Sequence, residues 1–324
     1  MNIDEIAAKV TLIRDEIGRV LLGQDELVET TLVAMLAGGH VLVEGAPGLG
    51  KTLLVRALAR ALGCAHRRIQ FTPDLMPSDV TGGNVLDQRS SAFVFHEGPI
   101  FTQLLLADEI NRAPAKTQAA LLEAMQERSV TVDGVTRTLP NPFFVIATQN
   151  PIESHGTYPL PEAQLDRFLA KLSVTYPTQL VEKQILRAHL DGHLGLAAEA
   201  TLPEVVTAET LVAMQHGLSA VQTDDAILDY VTEIVARTRR HRALAVGASP
   251  RAAVALVTAA RARAAVAGRA FVIPDDVKGL APAVLRHRII LQPDAELEGT
   301  TADDCVSDIL REVTVPQTAA SAHP

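Results

Sequence analysis

The sequence predicts an α/β fold: a five-stranded parallel sheet with helices on both faces, followed by a small all-helical domain. Three observations carry this. Short apolar runs alternate with helical segments through the first half of the chain. A glycine-rich turn joins one of these runs directly to an alanine- and leucine-rich helix. After Tyr176-Pro177 the strand signals fade, and helical periodicity with alanine-rich runs takes over. The expected units are residues 1–176, an α/β core with a helical N-terminal segment; 177–316, a helical domain; and 317–324 (QTAASAHP), a small, polar, frayed tail.

Residues 3–37 have apolar positions at helical spacing, broken at Leu22-Gly23-Gln24. The first strand is Val41 to Val43, followed by the glycine turn and its helix. RRIQF (67–71) and TQLLLADE (102–109) are the next two strands. Between them VTGGNVLDQRSSAFVFHEGP reads as a two-stranded excursion with glycines at both ends. KTQAALLEAMQERS is an amphipathic helix. SVTVDGVTRTL is a hairpin, with Asp133-Gly134 at a two-residue turn between alternating strands. FFVIAT (143–148) and AKLSV (170–174) complete the five strands. In the second half, ASPRAAVALVTAARARAAVAG and IPDDVKGLAPAVLRHRI each open at a proline, which suits the first turn of a helix.

Composition narrows the function. The 29 Lys+Arg against 38 Asp+Glu give a net charge of −9, and 3% aromatics with no tryptophan leave little for base stacking, so nucleic acid is a poor candidate partner. Cys64 and Cys305 lack the spacing of a disulfide framework or a zinc site and fit a reducing compartment. His96 and His155 have no carboxylate or cysteine at metal-ligand spacing, so no metal beyond Mg2+ is expected. The start, MNIDEIAAKV, has no signal-peptide pattern, and no uncharged run reaches the ~18 residues of a membrane span. A soluble cytoplasmic protein is expected.

The chemistry concentrates at strand ends. Gly45-Ala46-Pro47-Gly48-Leu49-Gly50-Lys51-Thr52 satisfies G-x-x-x-x-G-K-[ST] between a strand and a helix, the context the motif requires. Glycines let backbone N–H groups converge on phosphate oxygens at a helix N-terminus. Lys51 would reach the β- and γ-phosphates of ATP, and the Thr52 hydroxyl would ligate Mg2+. The run LLLADE brings Asp108 to a strand end, where it would hold Mg2+ through water, and Glu109 beside it to polarise the attacking water. Asn150 follows a strand that can lie between the other two and would orient that water; as an Asn-Pro pair it is equally a turn starter. Arg167 is too far along the chain for its own phosphate turn and would serve the next subunit of a ring. The other reading is an Asp166–Arg167 surface pair with Phe168 in the core. Arg251, a cation in the first turn of a helix, makes sense if that helix end points at a polyphosphate; otherwise it is a solvated side chain.

Read together and in order, GAPGLGKT, LLLADEINRAP, FFVIATQNP, LPEAQLDRF and GASPRA, with FTPDLMPSDVTG and HEGPIF, resemble the MoxR family of AAA+ ATPases over roughly residues 20 to 290. The resemblance implies Walker A at Gly45 to Thr52, Walker B at Asp108 and Glu109, and sensor 1 at Asn150. It also implies a trans arginine finger at Arg167, sensor 2 at Arg251 in a helical lid, and a hexameric ring. VLDQRSSAFVFHEGP is similar to the helix-2 insert of this clade, which includes the magnesium chelatase ATPase subunit, and SVTVDGVTRTL to its pre-sensor-1 hairpin. Adenine would pack near Val20, Leu21 and Leu22. One departure is Ile273, where the family often has a helix-capping threonine. The implied work is chaperone-like remodelling: maturation of, or metal insertion into, a client enzyme complex, with a von Willebrand factor A-domain partner. Asn150 and Arg251 would report the γ-phosphate to a hinge near Tyr176-Pro177, moving the inserts at 84–100 and 129–139. A DNA-associated motor or loader and a nucleotide-controlled scaffold are the competing functions. RTRRHR (237–242) reads as a solvated helix face, a basic patch or a subunit interface.

Overall fold

The computed structural model describes residues 1–46, 48–89, 91–150 and 157–316. Pro47 of the glycine turn, the stretch 151–156 with His155, and the expected tail at 317–324 lie outside the described residues.

The N-terminal segment forms α1 (Ile3–Gly18) and α2 (Asp25–Leu36), broken where the sequence predicts. Asn2 starts α1 with a reciprocal cap: its Oδ1 accepts from Glu5 N–H at 2.8 Å, and the Glu5 carboxylate accepts from Asn2 N–H at 3.2 Å. Ile3, Ile6, Val10, Ile13 and Ile17 then recur on one face and are buried. The core elements follow as β1 (Val41–Gly45), α3 (Lys51–Ala61), β2 (His66–Gln70), α4 (Pro77–Thr81), the hairpin β3 (Gly82–Asp87) and β4 (Ala92–Glu97), and β5 (Leu104–Asp108). Next come α5 (Ala115–Glu127), the hairpin β6 (Ser129–Val132) and β7 (Val135–Thr138), β8 (Phe144–Gln149), α6 (Glu162–Leu165) and β9 (Ala170–Val174).

Strands β2-β5-β8-β1-β9 form one five-stranded parallel sheet in that spatial order. The twofold alternation of a strand divides its apolar residues between two layers. Val41, Val43, Leu104, Leu106, Phe144 and Ile146 face α1, α2 and α3. Leu42, Leu105, Ala107, Val145 and Ala147 face α5. Strand β2 is an edge, and its first three residues, His66, Arg67 and Arg68, are exposed and polar. The two hairpins stand off the sheet and are tied together. Asn84 Nδ2 donates to Asp133 Oδ2 at 2.6 Å, and the Arg137 guanidinium lies 3.7 Å from the Phe95 ring centroid.

The second half runs α7 (Gln179–Leu190), α8 (Leu196–Ala200), α9 (Ala208–Gly217), α10 (Asp225–Thr238), β10 (Leu244–Val246), α11 (Pro250–Val266), α12 (Pro274–Leu285), β11 (Ile290–Leu291), α13 (Pro293–Leu297) and α14 (Ala302–Glu312). It is helical as expected except for one small ribbon, in which β10 and β11 pair antiparallel. Both predicted proline starts are the first residues of helices, α11 and α12. The apolar core does not stop at Pro177: α1 packs on α11 and α9, so the N-terminal helices share one cluster with the second half.

Ile273 offers no hydroxyl to the first turn of α12, and the other half of a helix cap is supplied by a carboxylate. Asp276, 2% exposed, accepts from Ile273 N–H at 2.9 Å and takes two bonds from Arg269, at 2.8 and 2.5 Å. Asp276→Ala removes the cap and strands the guanidinium, so it is expected to cost about 3–5 kcal/mol in a urea unfolding series; a loss below about 1 kcal/mol would contradict this account.

His40 pins β1 to its neighbours. Its Nδ1 accepts from Val145 N–H at 3.1 Å and its Nε2 lies 3.2 Å from the Met125 carbonyl, so Nε2 carries the proton. Burial, helped by the Arg128 charge, pushes its pKa down from 6.5 to about 3. His40 is therefore neutral when folded and takes up a proton on unfolding below pH 6.5. Its contribution is whole above that pH and is lost progressively as pH falls toward 3. Between pH 6.5 and 5 this amounts to about 2 kcal/mol. Wild-type stability is expected to fall from pH 7 to pH 5 more steeply than that of His40→Gln; parallel profiles would refute the assignment.

Candidate active site

The sheet order explains the site. Strand β8 lies between β5 and β1, in register Ala107↔Ala147 on one side and Val43↔Thr148 on the other. Asp108, Asn150 and the glycine turn therefore emerge side by side at the carboxyl edge, where parallel sheets place ligands.

Gly45 ends β1 in a tight approach: a β-carbon there would sit 2.6 Å from the Val174 carbonyl of β9. Gly50 starts α3 at φ 83, a left-handed conformation that glycine adopts without steric cost. Gly48, Gly50, Lys51 and Thr52 line a cleft of about 410 Å3 together with Asp108, Glu109 and Asn150. Ala46 is buried, Leu49 packs on the core, and Leu21 lies against Gly50. Lys51 Nζ donates to the Gly45 carbonyl at 2.6 Å. Burial lowers the Lys51 pKa, and the charges of Asp108 and Glu109 oppose that shift.

The carboxylates are held by residues that motif reading did not single out. Thr148 Oγ1 donates to Asp108 Oδ1 at 2.5 Å and accepts from Glu109 N–H at 2.9 Å. Arg68 Nη2 donates to Asp108 Oδ2 at 2.7 Å, and its Nε to the same oxygen at 3.1 Å. Glu109 has φ 56, a conformation costly for a side chain of its kind, and its carboxylate accepts from Gln70 at 2.7 Å and Arg112 at 2.9 Å. Asn150 is 7% exposed. Arg56, one turn beyond Thr52 on α3, also lines the cleft and pairs with Glu199 of α8 at 2.9 Å. The register Gln70↔Asp108 places Gln70 beside the carboxylates and Arg68 two residues earlier on the same side. With the strand order in hand, alternation along RRIQF would have found both residues.

Three cations, Lys51, Arg56 and Arg68, thus converge with Asp108 and Glu109, and Thr52 adds a hydroxyl. The set suits a polyanion carried with a small divalent cation. Thr52 and Asp108 are hard oxygen donors, and among the described residues no cluster of three or more His, Cys, Asp or Glu is placed to hold a metal by itself. That matches Mg2+, which keeps most of its shell for phosphate oxygens and water.

Arg167 and Arg251 do not line this cleft. Arg167 follows α6 and donates from Nη1 to the Leu122 carbonyl at 2.8 Å, lining a separate cavity of about 610 Å3 with Glu123 and Glu127 of α5. It makes no pair with Asp166, which instead binds Arg288 at 2.7 Å; Phe168 is in the core. The Arg251 side chain is 83% exposed and reaches to 4.0 Å from Asp166. The two arginines therefore flank Asp166, away from the glycine turn. A cavity of about 470 Å3 at the seam is lined by Gly23 and Gln24, by Tyr176 and Pro177, and by Val181. The basic run 237–242 is divided: Arg237 pairs with Glu233 at 2.6 Å, while Arg240, His241 and Arg242 line a surface hollow with Asp294 and Glu298.

Residues 40–170 match the model of the ATPase family associated with various cellular activities (AAA), and residues 236–309 match the AAA lid domain. The chain is 44% identical over 314 residues to Chaperone MoxR1 of Mycobacterium tuberculosis, covering 94% of this chain and 82% of that one. It is 33% identical over 323 residues to Protein MoxR of Methylorubrum extorquens, covering 93% of each. A crystal structure of a Cytophaga hutchinsonii protein superimposes with a TM-score of 0.89 at 39% identity, covering 97% and 96% of the two chains. With its AAA core, its lid and these relatives along nearly its whole length, the chain belongs to the MoxR family of AAA+ ATPases.

Proposed function

We propose that this protein hydrolyses ATP in a cleft completed by a second copy of itself, and uses the cycle to remodel a partner complex. The observation that carries the reading is the convergence of Lys51, Thr52, Asp108, Glu109 and Asn150 on one cleft at the start of α3. Backbone N–H groups of Gly48 to Lys51 would cradle the phosphates, and Lys51 would exchange its bond to Gly45 for the β- and γ-phosphates. Thr52 and Asp108 would hold Mg2+, which when bound supplies charge neutralisation to the phosphates. Glu109 accepts the proton of the attacking water, and Asn150 orients that water. Gln70 and Arg112 aim the Glu109 carboxylate. Arg68 leaves Asp108 for the phosphates as nucleotide enters. Gly23 and Tyr176, which line the seam cavity, and Leu21, which lies against Gly50, would hold the adenine.

Arg167 would complete the cleft of the neighbouring subunit. Because Arg251 flanks the same aspartate and stays out of its own cleft, it is assigned to that neighbour too, and not to the γ-phosphate of its own subunit. The hinge is read near Tyr176-Pro177, between a core at 1–176 and a lid at 177–316, with α1 of the core remaining packed on α9 and α11 of the lid. The two tied hairpins are the client-facing surface, since Val85, Leu86, Val135 and Phe93, the last 73% exposed, point outward. The assembly is read as a hexameric ring in the cytoplasm, with a von Willebrand factor A-domain protein bridging it to a client enzyme complex in maturation or metal insertion. Among the described residues no helix is long and apolar enough to cross a membrane.

Glu109→Gln is expected to lower ATP turnover by about 10²–10⁴ while leaving nucleotide binding near wild type. Equal turnover in both would sink the catalytic assignment. Arg167→Ala is expected to lose about 10³-fold or more. Mixing it with Glu109→Gln subunits should restore activity, because each variant supplies what the other lacks; a mixture no more active than its parts refutes the shared cleft.

A further inference from the structure

We propose that Arg288 is a positioning residue for Arg167, fastening the end of lid helix α12 to the segment that carries it, so that the lid holds its subunit's arginine finger in place. This rests on the reading that Arg167 serves the neighbouring cleft.

Arg288 lies three residues beyond the end of α12 and is a buried cation, its side chain 4% exposed. All of its N–H groups that make bonds are spent on two targets. Toward the finger segment, Nε donates to Asp166 Oδ1 at 2.7 Å, Nη2 to the Phe168 carbonyl at 2.7 Å, and Nη1 to the Leu169 carbonyl at 3.0 Å. Toward its own helix, Nη1 also donates to the Val284 carbonyl. His287 adds a second tie, with Nε2 3.0 Å from the Phe168 carbonyl. The backbone is thus gripped on both sides of Arg167, and Phe168 is fully buried beneath the grip. Arg167 itself turns away toward Leu122 of α5.

Only a planar fork with donors in several directions makes this set of bonds; an ammonium cannot. Burial lowers the Arg288 pKa, with Asp166 opposing the shift, and it lowers that of His287 strongly, with the Arg288 charge adding to the effect. His287 is therefore the neutral donor and Arg288 the charged one. A lid attached to its core only by apolar packing would have no use for a cation at this depth, where desolvation is costly. The grip gives the lid a rigid handle on residues 166–169. Without that grip, residues 166–169 would keep their bonds to the core, Leu169 N–H to the His40 carbonyl at 2.8 Å and Arg167 to Leu122, and Arg167 would be less firmly placed for the next cleft.

The test uses full-length Arg288→Met and Arg288→Lys. Both are expected to lower kcat about 10²-fold, the cost of a misplaced catalytic group, with KM and the affinity for a fluorescent ADP analogue within about twofold of wild type. The decisive measurement is mixing with Glu109→Gln subunits, whose clefts are dead and whose fingers are intact. Activity should recover, because the defect of an Arg288 variant lies in the finger it lends and not in the cleft it owns. The control mixture is Arg167→Ala with Glu109→Gln. If the control recovers and the Arg288 mixtures do not, the positioning role is overturned and the shared cleft stands. If the control itself fails to recover, the shared cleft falls and takes this inference with it. Should Arg288→Met not fold, Arg288→Lys and Asp166→Asn carry the same measurements, and wild-type kcat in both would overturn the proposal.

Discussion

The position of β8 between β5 and β1 is the constraint on which the site depends. A parallel sheet aligns strand ends, so whatever follows β1, β5 and β8 must meet at one edge. The close approach of Gly45 to Val174 sets the depth of the glycine turn against β9, and Thr148 binds both carboxylate-bearing residues to β8. The left-handed backbone of Glu109 is sustained by this scaffold, not by any local preference of the residue. The apolar cores above and below the sheet make that arrangement rigid.

Much of this was legible in the residues. Each of the five strands, both hairpins and the proline starts of α11 and α12 follow from period, turn chemistry and the fixed φ of proline. The glycine turn is legible from its motif set between a strand and a helix, Asp108 and Glu109 only in company with that turn, and β8 reads as a strand that can lie between β1 and β5, which would bring Asn150 near them. What stayed hidden depends on pairing between strands. Arg68 and Gln70 look like members of a plain edge strand until the register sets Gln70 opposite Asp108. Arg56 gains meaning only through Glu199, far along the chain. Arg288 lies inside a helical run whose pattern says nothing about what its far end touches. The ribbon of β10 and β11 escaped notice because segments that short carry no usable periodicity.

The electrostatics are balanced internally. Asp108 and Glu109 each hold an arginine, Arg68 and Arg112, and Lys51 leans on a backbone carbonyl. Each of these charges therefore has a partner within the protein itself. A ligand bearing charge would exchange these partners and would not meet unpaired charges. The buried Arg269–Asp276 and Arg288–Asp166 pairs play a different part. They sit at helix ends, satisfy backbone groups as well as each other, and fix how elements meet.

The outer strand β2 presents His66, Arg67 and Arg68 to solvent instead of an apolar ladder. Such an edge resists the addition of a foreign strand. At this edge, continuation of the sheet from one chain into another is disfavoured. Any contact formed on this side is left to helices and loops, whose side-chain packing can loosen and re-form where a backbone ladder would not.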